Sequence, residues 1–578
     1  MKDKKEFYTL LGEIDGKPVS EYDRLVGDFD FSRYVIKCAN VDRDRADLQS
    51  VFTIRVPQTI AEIPDYLFDS PVRRTALEDL LLRRLADNVA EIARFGRDGI
   101  ARKHLHLTLP DQKILPRSAL LVTKEYIEIR ICIALPTKTA IVDGRAVGSI
   151  DGEMARALFF DDLPDVVGNS VLYCNVDADE ADRFVNTMED ADRLRQHLVA
   201  GGQVCFLGEG ALVTRLSGTD APDYERLTPV EVAEELAEEV ELPHAGVVRG
   251  LSIPNGLTLI LGESNSGRVD IMDAITQGIY NHVPGDGREC VVTVSDAVKI
   301  ASEPGRPVQQ VDISTFAKEL PDGGNPSCYS TPSAGSFSSQ AASTVEALEA
   351  GARVLLFDEH TSSSTFLSAD TRVTPLLGES SRNTLAARAR QMVDELGISI
   401  VVAGSSLVAE FIPIADKILR VDNFSVSDIT EEAKALDVRP SDVADDSANL
   451  PGMLSRSRWA MPSSVDPSIG REDIVVKAAG VDALTFGRST IDLKAVRQIA
   501  DADQLRAIGY VLYYAKLRYM DEGYPLREIL DLVDRDLSNE GLNAIVRYPR
   551  GDLARPRRYE VAAALNRMPA FRVSHVTE

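Results

Sequence analysis

Cysteine is scarce and never paired in this chain: Cys38, Cys132, Cys174, Cys205, Cys290 and Cys328 stand singly, and no Cys-x-x-Cys occurs. That spacing excludes the common zinc and redox motifs, and the thiols are expected to be reduced. No stretch of 18 apolar residues is free of charge, so no membrane-spanning helix is expected. The opening MKDKKEFYTL lacks an apolar run and does not read as a secretory signal, so the expected location is the cytoplasm. No repeat of 20–50 residues is visible, which sets aside solenoids and propellers. Positive charge is in deficit: Lys and Arg total 64 against 90 Asp and Glu, a formal net charge of −26. A surface that binds nucleic acid everywhere does not fit that balance, whereas a local basic groove does.

What is present suffices for several packed cores. A chain of 578 residues with 44% hydrophobic content holds roughly three or four ordinary domains. Residues 1–245 read as an N-terminal α/β domain. Within it, Pro71–Phe95 has apolar residues recurring at three and four, and Tyr126–Ala134 alternates Ile127, Ile129 and Ile131 with Glu128, Arg130 and Cys132 beside a second strand at Ala119–Thr123. His104 and His106 share a strand face with no third metal ligand nearby, so they read as ordinary strand residues. Gln203–Phe206 and Ala211–Thr214 read as another strand pair, and the acidic run Glu231–Glu241 reads as an amphipathic linker helix. Residues 246–430 form the core, 431–470 a linker with the only tryptophan, Trp459, and 471–578 a C-terminal α+β domain with helices expected at Leu493–Ala500, Ala502–Met520 and Leu526–Asp534.

The core carries the chemistry. Leu257–Leu261 is an apolar run of strand length, followed by Gly262-Glu263-Ser264-Asn265-Ser266-Gly267-Arg268-Val269 and then by helical spacing at Ile271, Ala274, Ile275 and Ile279. Strand, glycine loop and helix make the arrangement in which backbone N–H groups cradle phosphates. The glycines keep the G-x-x-x-x-G-K-[ST] spacing, but Arg268 replaces the lysine and Val269 replaces the hydroxyl that ligates Mg²⁺. Glu263 and Asp270 add carboxylates beside an anion cradle. About a hundred residues on, the apolar strand Ala352–Phe357 ends in Asp358-Glu359, the pair that in P-loop ATPases holds Mg²⁺ and activates water. Between them, Ser333–Gln340 opens a helix expected over Ala341–Ala350; its hydroxyls suit either phosphate donors, ideally for a partner subunit, or an ordinary N-cap after a serine-rich loop, and taken alone they favour the N-cap. Ile398–Ala403 gives a further parallel strand ending in Gly404-Ser405-Ser406. Arg547, Arg550, Arg555, Arg557 and Arg558 form the clearest basic cluster, open to nucleic acid or to internal salt bridges.

With these residues assembled, the chain resembles the standalone ATPases of the ABC class, from about Leu10 to about Arg572. The resemblance lies in Gly278–Glu289 (GIYNHVPGDGRE), Ser339-Gln340-Ala341-Ala342, Glu346–Ala352 (EALEAGA), Asp358-Glu359 with Thr361-Ser362, Val421-Asp422-Asn423, Phe486-Gly487, Ile491-Asp492-Leu493 and Gln504–Ile508. It implies an ABC-type P-loop core with flanking domains and ATP with Mg²⁺ as ligands. Gly262, Ser264, Asn265, Ser266, Gly267 and Arg268 would be the phosphate loop and Asp358 the metal residue, with Glu359 its catalytic neighbour. Ser336, Ser338, Ser339 and Gln340 would be a signature facing the partner's nucleotide in a homodimer or a heterodimer with a paralogue. The resemblance also brings a role on RNA or DNA. The family's loop looks like GGGYHGKST and its signature like ASGSTSQ, so bulky Phe337 stands at a small-residue position, and Gly96-Arg97-Asp98-Gly99 stands where the family has a glycine-lysine stretch.

Two functions remain open on these residues. Losses concentrated at the phosphates, with the scaffold intact, favour a weak or non-hydrolysing scaffold or regulatory protein. Intact Asp358-Glu359 and the charge of Arg268 support an active Mg-ATPase.

Overall fold

The computed structural model describes residues 1–41, 49–95, 103–142, 145–320, 323–369, 382–438, 450–455, 457–470 and 473–574. Gly96-Arg97-Asp98-Gly99 lies outside them. The chain divides into two compact bodies, one of Met1–Glu189 with Glu540–Arg555 and one of Asp190–Asn539 with Pro556–Glu578.

The second body is built on a seven-stranded sheet. Its order is Glu231–Val232, Ser425–Asp428, Lys417–Asp422, Leu257–Leu261, Ser399–Gly404, Val354–Asp358 and Ala297–Lys299. The five strands from Lys417–Asp422 to Ala297–Lys299 run parallel. Leu257–Leu261 lies inside, with Leu259 opposite Val402 on one side and Ile418 on the other. Such a strand is covered on both faces, which is why it reads as a continuous apolar run. Helices Arg268–Gln277, Ser336–Glu349 and Leu385–Leu396 follow their strands, and Leu259, Phe357, Ile400, Phe337, Phe366, Leu385 and Met392 share one core. The helix expected from Ala341 begins earlier, at Ser336, where the Ser338 hydroxyl accepts the N–H of Gly335.

A four-stranded antiparallel sheet, Ala237–Leu242, Gly246–Pro254, Gln203–Gly208 and Val291–Thr293, belongs to the same body. It corrects two expectations. Glu231–Glu241 is not a helix: Val240 and Leu242 are buried on alternate positions while Glu239 and Glu241 face out, a period of two that the run of glutamates conceals. Ala211–Thr214 is not a strand, because both edges of Gln203–Gly208 are already taken by Gly246–Pro254 and Val291–Thr293. Near the C-terminus, Val476–Ala479, Ala483–Phe486 and Ser489–Asp492 form an antiparallel sheet beside Ala502–Arg518. The helix expected at Leu493–Ala500 is absent. Gln498 there donates Nε2 to Thr276 O at 3.0 Å, its Oε1 accepts Lys299 N–H at 2.9 Å, and its backbone carbonyl accepts from Tyr280 Oη at 2.7 Å. Tertiary partners replace a helical ladder in that stretch.

The first body holds a mixed sheet in which Gln49–Pro57 and Tyr126–Ala134 pair antiparallel along their full lengths. Helix Pro71–Phe95 lies where its periodicity places it, and Leu120–Val122 completes the expected hairpin with Tyr126–Ala134. Arg130 is buried on that strand and gives Nε to Glu128 at 2.8 Å and Nη1 to Asn543 at 2.7 Å.

A candidate nucleotide site at the carboxyl edge of the sheet

The glycine loop leaves the parallel sheet where its neighbours also end, the usual edge for a ligand in an α/β sheet. Gly267 has φ +89°, and a Cβ there would meet the Phe424 ring at 2.6 Å. A Cβ on Gly262 would meet Ser266 Oγ at 2.5 Å. Both glycines are therefore required by this backbone. The loop closes on itself: Ser266 N–H and Oγ both donate to Glu263 O, at 3.2 and 2.8 Å, and Ser266 O accepts Phe424 N–H at 2.8 Å. Glu263, Ser264 and Asn265 are exposed at its tip.

Arg268 turns inward and is 1% exposed. Its Nε donates to Gly262 O at 3.0 Å, its Nη2 lies 3.4 Å from His360 Nε2, and its Nη1 has no hydrogen-bond partner. The next side chain, Val269, is 40% exposed. Burial first, and then Asp273, push the Asp270 carboxyl up.

Strand Val354–Asp358 ends two places away in the sheet. Asp358 Oδ1 accepts the N–H groups of His360 and Thr361, at 2.7 and 3.0 Å; Oδ2 accepts Thr361 Oγ1 at 3.0 Å and pairs with Lys299 Nζ. Lys299 ends the adjoining strand, in register with Leu356, and its side chain is 5% exposed. Burial opposes ionisation of Asp358, but Lys299 and the hydrogen bonds from Thr361 together outweigh it and hold the carboxyl below its ordinary range. Glu359 is held by Ser405, whose Oγ lies 3.0 and 2.9 Å from the two carboxylate oxygens and whose N–H donates to Oε2.

The glycine loop and the Asp358-Glu359 edge thus stand together around Arg268 and His360. Family comparison agrees with that geometry. The P-loop domain of the ABC ATPases matches residues 177–453, the N-terminal domain of ATPases of the ABC class matches 4–174, and a domain described as the MRB1590 C-terminal domain matches 475–574. The chain belongs to the ATPases of the ABC class. It is also similar to the uncharacterized protein MJ1628 of Methanocaldococcus jannaschii, 30% identical over 196 residues, which are 32% of this chain and 42% of that one. The match thus spans less than half of that relative.

In this ABC-class chain the signature segment is engaged elsewhere. Gln340 is fully buried; its Oε1 accepts Ser363 N–H at 2.7 Å and its Nε2 donates to Ser362 Oγ at 2.9 Å. Ser339 Oγ donates to Ser336 O and accepts Glu303 N–H, at 2.9 and 3.0 Å, while Ser338 Oγ meets Tyr329 Oη at 3.0 Å. Ser336 is exposed at the start of the helix. Among the described residues, none of these four hydrogen-bonds the Gly262–Gly267 loop. Phe337 packs in the core: it is 6% exposed and edge-on to Phe366 at 5.6 Å. The motif Glu346–Ala352 serves packing too, since Glu346 pairs with buried Arg306 at 2.8 Å and Glu349 pairs with Arg458.

The clustered arginines include several with internal carboxylate partners. Arg550 pairs with Asp552 at 2.6 Å, Arg557 with Glu560 at 2.6 Å, and Arg558 with Asp531. Arg547 lies over the Tyr548 ring at 5.3 Å. Among the described residues no group of three or more His, Cys, Asp or Glu could hold a metal, and no helix is long and apolar enough to cross a membrane.

The residues at the Mg²⁺ position do not fit that ion. Val269 offers no oxygen, and the acceptor positions of Asp358 are taken by the chain's own donors. Lys299 and His360 escaped the sequence reading. The only signal for Lys299 is one basic residue inside the apolar run Ala297–Ala301, and His360 merely adjoins Asp358-Glu359.

Proposed function

We propose that this chain is a nucleotide-binding member of its class that hydrolyses ATP slowly or not at all and acts through assembly, as a dimer with a second copy or a paralogue. The observation that carries this reading is Val269, exposed at the first turn of the loop helix where P-loop chemistry needs a metal-ligating hydroxyl. The retained cradle supports binding: Gly267 and the helix N-terminus supply N–H donors, and Arg268 supplies charge. The dimer reading is supported by Ser336, exposed and without a bond to its own chain's loop.

Binding of fluorescent ATP and phosphate release from the purified full chain test the reading together. Saturable binding with phosphate release no faster than that of the Glu359→Gln variant supports it. Turnover near the roughly 1–100 s⁻¹ of ordinary phosphoryl-transfer enzymes, abolished in Glu359→Gln, overturns it in favour of an active Mg-ATPase.

A further inference from the structure

We propose that Lys299 is a built-in cation standing where the divalent metal stands in other P-loop proteins, so that this chain recognises the polyphosphate of a nucleotide without Mg²⁺. The inference rests on the nucleotide-binding reading above and names how that site recognises its ligand.

An ionised carboxylate has about four acceptor positions. At Asp358 four donors of the chain fill them: His360 N–H and Thr361 N–H on Oδ1, and Thr361 Oγ1 and Lys299 Nζ on Oδ2. A hard cation would have to displace Lys299, whose side chain is 5% exposed, and leave its ammonium without a carboxylate in the interior. The other protein ligand of a P-loop metal, the hydroxyl after the loop's basic residue, is Val269 here. Two independent changes therefore remove the metal's ligands.

Part of the charge the metal would bring is nevertheless present. Lys299 and Arg268 are joined through three contacts: Arg268 Nη2 lies 3.4 Å from His360 Nε2, the His360 N–H donates to Asp358 at 2.7 Å, and Asp358 pairs with Lys299. Arg268 Nη1, in a side chain 1% exposed, is a buried donor with no partner, and such a group is costly unless something accepts from it. A phosphate oxygen on the glycine loop is the acceptor this assigns. Arginine gives phosphate a directional fork and lysine a compact point charge. Together they offset phosphate charge as a bridging ion does elsewhere.

The test uses the full chain, fluorescent ATP and Mn²⁺ as the metal probe. The wild type should bind ATP with a Kd that changes less than twofold between EDTA and Mg²⁺, and it should leave the free Mn²⁺ EPR signal unchanged. Lys299→Met frees Asp358 and should take up Mn²⁺. Because that variant leaves a buried carboxylate unpaired, Lys299→Met with Asp358→Asn serves as a charge-balanced second variant, expected to bind ATP at least tenfold more weakly in both buffers. Binding at least tenfold weaker in EDTA than in Mg²⁺ overturns the inference while leaving nucleotide binding intact. Wild-type affinity in the double variant overturns the role of Lys299. No ATP binding in either buffer overturns the nucleotide-binding reading and this inference with it.

Discussion

The ring of Phe424 occupies the space in which a side chain on Gly267 would lie, 2.6 Å from its Cβ position. Phe424 is itself held at φ +65° and Gly267 at φ +89°, so two left-handed residues lock the loop from opposite sides. Gly267→Ala should lower stability by about 1–3 kcal/mol from backbone strain, and by more from the clash with the ring. Thermal unfolding of the variant checks this; an unchanged midpoint would show that the Phe424 ring moves aside freely.

Phe337 behaves as a core residue although it stands in the signature segment. Phe337→Ala should destabilise the chain by about 3–5 kcal/mol through the cavity left beside Phe366. Nucleotide affinity, measured well below the unfolding temperature, should change less than twofold. Tighter binding in the variant would mean that the ring does obstruct the ligand.

Arg306 and Glu346 form a buried pair with exposures of 5% and 4%. Arg306 Nη2 also donates to Ser339 O at 3.2 Å, so the pair fixes the start of the signature helix. Glu346→Leu leaves a buried guanidinium without its carboxylate and should cost about 3–5 kcal/mol. Arg306→Met with Glu346→Leu should recover most of that loss in a denaturant titration.

Glu78 sets a pH dependence in the first body. Burial pushes its carboxyl up to about 8, against the opposing effect of the Val122 N–H, which it accepts at 2.8 Å, and of Arg74. The folded chain thus holds a proton that the unfolded chain releases near pH 4.5. Its contribution to stability is full below that pH and is lost as pH rises toward 8, by at most about 1.4 kcal/mol per pH unit. Glu78→Gln keeps the acceptor for Val122 and cannot ionise. Urea midpoints should therefore match the parent at pH 4.5 and exceed it at pH 9.

Much of this molecule was legible as periodicity. Helix Pro71–Phe95, strands Leu257–Leu261 and Val354–Asp358 and the glycine loop between strand and helix follow from local spacing, because a residue's face on a helix or strand depends only on its neighbours in the chain. Where glutamates masked a period of two, at Ala237–Leu242, the reading failed. It failed again at Leu493–Ala500, where contacts distant in sequence outweighed helical propensity.

At the site, the sequence by itself determined which chemistry was lost: Val269 cannot ligate a metal in any fold, and Arg268 remains a cation in all of them. Only the tertiary structure decided what replaced it. Lys299 meets Asp358 across 59 residues because their strands are neighbours in the sheet, and sheet order is set by which apolar faces bury together. Phe337 turns into the core for the same reason. Residue type fixes what a group can do, but burial and strand adjacency fix what it does it to.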